Sequence, residues 1–138
     1  MIQCSKFKGL AILTLVVVFI AASAAIAGMT KKDGSFYLIK IETKGSGADT
    51  VAVFTATGKP GYHPNKEYPW KLAFDEKDGV KLTKRVLKKA DAATFDEKKV
   101  IFKVPVKISN GAKATGLLKF SFCNEKQCEF EKYKFVLP

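Results

Sequence analysis

The chain has 138 residues, with 24 Lys and Arg against 13 Asp and Glu and a single His, a formal charge of +11. It is 47% hydrophobic and 12% aromatic, too apolar for a disordered chain. It is also too short for two ordinary domains or a TIM barrel. Three cysteines are too few for a small disulfide scaffold.

Residues 1–27 read as an export signal. Lys6 and Lys8 form a positive start, and Leu10 to Ile20 form an apolar core interrupted only by Thr14. Small residues follow and end in Ala25-Ile26-Ala27, an A-x-A cleavage pattern, so the cut is expected after Ala27. An uncleaved anchor helix is the competing reading, because Leu10 to Ala27 approaches the roughly 20 residues that span a bilayer. The small-residue end favours cleavage. No stable membrane anchor is then expected, and Cys4, which precedes the apolar core, does not fit a lipoprotein. Cleavage leaves residues 28–138 as one domain. Its 22 basic residues against 13 acidic give a net +9, and its two cysteines are Cys123 and Cys128.

This remainder reads as all-β. Turn signals recur at Lys44 to Gly47, Gly58 to Gly61, Asp75 to Gly79, Ser109 to Gly111 and Asn124 to Gln127. Between them Ser35 to Thr43, Asp49 to Thr57 and Tyr68 to Phe74 are strand candidates. Residues 80–94 fit a strand running into a loop or a single helical turn. Val100, Phe102, Val104, Val106 and Ile108 alternate with Lys99, Lys103 and Lys107, the period of a half-buried strand. Pro105 cannot donate to a ladder and marks an edge. Ala114 to Cys123 and Cys128 to Leu137 form a last hairpin. About seven or more short strands in this length predict an immunoglobulin-like β-sandwich. The Cys…Trp…Cys order of antibody domains is absent, since Trp70 precedes both cysteines.

The positive charge reads as a solvated face. Of the 24 basic residues only Arg85 is an Arg, and Lys lacks the planar fork that reads phosphates and bases. No nucleic-acid partner is expected. The densest cluster is Lys81, Lys84, Arg85, Lys88 and Lys89, with docking of an acidic partner as the sharper alternative.

Cys123-Asn-Glu-Lys-Gln-Cys128 is a C-x4-C pair at a hairpin turn. Opposed Cα atoms lie about 4.5–5.5 Å apart, within reach of a disulfide. Parity places both sulfurs away from the core, on the face of Lys119, Ser121, Lys132 and Lys134, where Phe130 could pack over them. Three readings stay open. A six-residue loop gives a clip of roughly 2 kcal/mol, a weak staple. An outward disulfide suits exchange with a partner thiol. Two thiolates and His63 could hold copper or zinc, but no spacing motif supports a metal, and neither a metal nor a cofactor is expected. His63 lies in Gly61-Tyr62-His63-Pro64-Asn65-Lys66-Glu67-Tyr68-Pro69-Trp70, either a corner sealing one end of the sandwich or a loop shielding the cysteines. A hydrolase is poorly supported, for no nucleophile motif or carboxylate pair accompanies the single His.

The hairpin Phe120-Ser121-Phe122-Cys123 to Cys128, the Gly61-Tyr62-His63-Pro64-Asn65 loop with Tyr68-Pro69, and Asp91-Ala92 before the strand at Val100 resemble the N-terminal periplasmic domain of the thiol:disulfide interchange protein DsbD. The resemblance spans about residues 34–137. It implies an immunoglobulin-like domain passing reducing equivalents in the periplasm through Cys123 and Cys128, with thioredoxin-like proteins as partners. The family also shields its cysteines with an aromatic loop, for which Tyr62, Tyr68 and Phe74 are the candidates. The sequence shows no membrane electron conduit or thioredoxin-like domain, so a stand-alone copy is expected either to be a reductant carrier served in trans or to have kept the fold and lost the cycle.

Overall fold

A computed structural model describes residues 26–109 and 111–138. The expected export signal therefore lies outside the described residues, apart from Ile26 and Ala27, which open the first strand. Among the described residues no helix is long and apolar enough to cross a membrane.

The described residues form an all-β sandwich of eleven strands in two antiparallel sheets. The strands are β1 (Ile26–Asp33), β2 (Tyr37–Lys44), β3 (Thr50–Gly58), β4 (His63–Pro64), β5 (Lys71–Phe74), β6 (Val80–Leu82), β7 (Val86–Lys88), β8 (Thr94–Phe95), β9 (Lys99–Ile108), β10 (Thr115–Cys123) and β11 (Cys128–Val136). The first sheet runs β1-β2-β3-β9-β6, and β8 also pairs with β9. The second runs β11-β10-β5-β7, and β4 also pairs with β10.

Period-two alternation selects the strands and aims them inward. The first sheet contributes Tyr37, Ile39 and Ile41 from β2, Ala52, Phe54 and Ala56 from β3, and Val100, Phe102, Val104 and Val106 from β9, all buried. The second sheet answers with Leu72 and Phe74 from β5, Leu118, Phe120 and Phe122 from β10, and Phe135 from β11. Rings interlock edge to face across the gap: Tyr37 on Phe120 at 4.7 Å, Phe54 on Phe135 at 4.8 Å, Phe54 on Phe74 at 5.9 Å. Trp70 is buried against Phe95, Phe120 and Phe122, and its indole N–H donates to the Asn65 carbonyl at 3.0 Å. It anchors the Gly61–Trp70 loop to the core and does not sit on the disulfide as an antibody Trp does.

The ambiguous stretch 80–94 resolves into β6, β7, a 3-10 turn at Lys89–Asp91, and β8. Pro105 is not on an outer strand. β9 pairs with β3 on one side, and on the other with β8 at Val100–Ile101 and β6 at Val106–Ile108. Pro105 falls in the interval between those two short partners, a local edge inside a central strand, where a missing donor costs least.

Candidate functional site: the disulfide hairpin and its cover

β10 and β11 pair in register from Thr115↔Val136 to Cys123↔Cys128. The turn beyond is set by one side chain. Asn124 accepts on Oδ1 from the backbone N–H of Lys126 and of Gln127, each at 2.8 Å, while its own N–H donates to the Gln127 carbonyl at 2.9 Å. Asn124 and Gln127 are thus the last hydrogen-bonded pair, and Cys123 and Cys128 form the non-hydrogen-bonded pair next to it, where strands approach most closely. The cysteines are joined, with S–S 2.01 Å and Cα atoms 3.9 Å apart. That is closer than the expected separation of about 4.5 Å or more for such a pair.

The parity expectation holds and the exposure expectation does not. Cys123, Ser121 and Lys119 do oppose the outward residues Cys128, Phe130 and Lys132. Yet Cys123 is only 7% exposed and Ser121 is fully buried, whereas Cys128 is exposed. The cover is the loop carrying β4. Gly61, at φ +85, turns the chain so that His63 pairs with Cys123 and Pro64 with Phe122. Asn65 then locks the loop down: its backbone N–H donates to the Ser121 carbonyl at 2.9 Å and its side-chain amide to Ser121 Oγ at 3.2 Å. Tyr62 ties in the turn, accepting from the Asn124 amide at 3.2 Å, and its ring lies 5.7 Å from Phe36. The loop therefore serves as both corner and shield. Of the three aromatic candidates for a shield, Tyr62 and Tyr68 lie in this loop. Phe74 instead packs in the core against Phe54 and Phe135, because its strand position faces inward.

Phe130 does not fold over the sulfurs. It stands two residue pairs along the ladder, 62% exposed, with its ring 5.4 Å from Tyr68. His63 is exposed and directly opposite Cys123 in register, so imidazole and sulfurs share one face of the sheet. Its Nδ1 lies 3.2 Å from the Pro64 carbonyl oxygen, a contact in which Nδ1–H donates. No sequence spacing joins residue 63 to residue 123; strand pairing does. Among the described residues no three His, Cys, Asp or Glu side chains are grouped so as to hold a metal ion.

Three of the five basic side chains in the cluster at 81–89 have partners. Lys84 Nζ lies 2.7 Å from Asp91, Arg85 3.1 Å from Glu76, and Lys89 donates to the Lys66 carbonyl at 2.7 Å while its ammonium sits over the Phe95 ring. The Asp91 carboxyl is held below the usual carboxylate range, first by the Lys84 hydrogen bond and then by the Lys88 backbone N–H. Lys88 has a different neighbourhood, in a cross-strand row that sequence spacing does not reveal.

No protein-family model matches the chain, and no curated protein matches it. Among solved structures it is similar to the GAE domain of yeast GGA1. That alignment covers 80% of this chain and 99% of the GAE domain, with a TM-score of 0.50 and 15% identity. At this identity the likeness shows the fold alone, an immunoglobulin-like β-sandwich.

Proposed function

We propose that the protein is an exported thiol:disulfide exchange module that passes reducing equivalents through Cys123 and Cys128. The observation that carries this reading is the asymmetry of the bond: one sulfur belongs to an exposed residue, the other to a residue under a loop. Exchange needs one reachable sulfur, since a thiolate attacks a disulfide sulfur and expels the other, and the asymmetry makes Cys128 the one a partner reaches. A partner thiolate reaching Cys128 Sγ forms a mixed disulfide there. The Cys123–Cys128 bond breaks and its electron pair leaves on Cys123 as thiolate, facing His63. The partner's second thiol, as thiolate, then attacks its own bonded sulfur and releases Cys128. The partner dithiol is oxidised, and the domain holds two thiols after taking up two protons.

The bond also adds little as a clip. It joins neighbouring strands already zipped from Thr115 to Cys123, and a loop this short gives roughly 2 kcal/mol. The resemblance to the DsbD N-terminal domain supports the same reading, and it names the partner class as thioredoxin-like proteins of the periplasm. The rival reading, a non-catalytic immunoglobulin-like binding domain with a structural hairpin clip, draws on the exposed aromatic at Phe130.

The test uses a reduced thioredoxin-fold protein whose second cysteine is serine, so that the mixed disulfide is trapped. The expected product carries the partner on Cys128, identified by peptide mapping, and a Cys123→Ser variant pre-activated at Cys128 forms the same adduct. A bond that stays intact under excess partner, with the sandwich folded, contradicts the exchange reading.

A further inference from the structure

Four lysines form one row across the second sheet. Lys88 on β7 is opposite Lys71 on β5, Lys71 is opposite Lys119 on β10, and Lys119 is opposite Lys132 on β11. Opposed residues of an antiparallel sheet share a face with Cβ atoms about 4.5–5.5 Å apart, and like charges so placed repel. None of the four is in an ion pair among the described residues. Strand spacing makes the row roughly 14 Å long.

The surroundings are not those of a merely solvated face. On one side lie Phe130 and Tyr68, their rings tilted and 5.4 Å apart, and beyond them the disulfide. Cys123 is four residues along β10 from Lys119, so the row is about 14 Å from the bond. On the other side Val86, Ala73 and Leu117 form an apolar row ending at Lys134. Two shallow grooves, of about 390 and 380 Å³, meet at Tyr68, one lined by Phe130, Glu131 and Lys132 and the other by Glu67 and by Lys66, Lys71, Lys88 and Lys89, so that lysines outnumber carboxylates five to two.

We infer that this lysine row docks an acidic protein face and so selects the partner whose thiol reaches Cys128. The inference rests on the exchange reading and adds the chemistry of the partner. A standard interface covers about 800 Å² per partner, wide enough to take in the row, the aromatic pair and the disulfide together. Exposed Phe130 and half-buried Tyr68 supply an apolar centre and the lysines a charged rim. A lipid surface is the less fitting occupant, because a membrane laid on this face would cover Cys128 and shut out the thiol.

The test uses peptides of one length with a central cysteine flanked by aspartates, serines or lysines, and thiol-free copies carrying serine in its place. The Asp-flanked thiol is expected to reduce the bond about tenfold faster than the Ser-flanked one at low salt. That preference should vanish at about 1 M salt, where the screening length is about 3 Å. The thiol-free Asp peptide is expected to bind the oxidised protein. A K71Q/K88Q/K119Q/K132Q variant should lose both effects. A control with Lys44, Lys99, Lys103 and Lys107 changed to Gln, of equal charge but on the first sheet, should keep both. Equal rates and no binding, or effects that persist in the row variant, overturn the inference. Binding to vesicles of anionic phospholipid in preference to the Asp peptide also overturns it. If the thiol-free Asp peptide binds at the row while no peptide reduces the bond, the docking surface stands and the exchange reading fails.

Discussion

On the outer face of the first sheet, Lys40 is ion-paired with Glu42 at 2.6 Å and faces Thr55, Lys103 faces Val53, and Lys99 faces Thr57. Like charges meet there only as separate pairs, Lys31 with Lys40 and Lys81 with Lys107. On the outer face of the second sheet, four lysines line up on four strands beside an exposed aromatic and a half-open disulfide. Both faces arise from the same alternation of core residue and lysine. They differ in register, which decides what each lysine faces. A lysine opposite threonine is a solvated surface. A lysine between two lysines is a surface held at a cost in repulsion, and it calls for a counter-charge.

The largest effect that separates the two faces is expected at the cysteines. Replacing both by serine should abolish exchange with a dithiol partner and lower stability by roughly 2 kcal/mol, leaving the sandwich folded; partner oxidation and urea unfolding check the two halves. If exchange persisted, the second face would have no more chemistry than the first.

Next comes the cover over Cys123. Asn65→Ala removes the side-chain bond to Ser121 and the acceptor for Glu67 N–H. It should cost about 1–2 kcal/mol and quicken alkylation of Cys123 in the reduced protein, with Cys128 little changed. Equal quickening at both cysteines would deny the asymmetry.

A pH scan probes the seam where the two sheets meet. Burial, followed by the neighbouring Glu131 carboxylate, pushes the Tyr37 hydroxyl above its ordinary value of 10.0. The folded state therefore favours the neutral phenol. That stability is fully present below pH 10 and is lost as pH rises through the elevated value. Tyr37→Phe should flatten the alkaline decline while costing about 1 kcal/mol at neutral pH, read by chemical unfolding at several pH values. An unchanged alkaline decline would place its origin elsewhere. The smallest effect is expected on the first face: Lys99, Lys103 and Lys107 changed together to Gln should shift stability by no more than about 0.5 kcal/mol each and leave exchange untouched.

Much of the sandwich is legible in the amino-acid sequence. The alternation of β9 and of the last hairpin identifies their buried residues, because period two survives any change of neighbour. The Cys123↔Cys128 pairing follows from the turn signal alone, a local matter that Asn124 settles. The cover over Cys123 is not legible, since Asn65 and Ser121 are 56 residues apart. Nor is the lysine row, whose members come from four strands and meet only through tertiary register. His63 beside Cys123 depends on a two-residue strand that no periodicity can announce.

The most direct test of the central claim is the reduction potential of the Cys123–Cys128 bond, measured by equilibration of the folded protein against glutathione and against thioredoxin. The exchange account predicts a value between roughly −170 and −270 mV, among the known exchange proteins. A value below about −300 mV marks a structural bond and contradicts it.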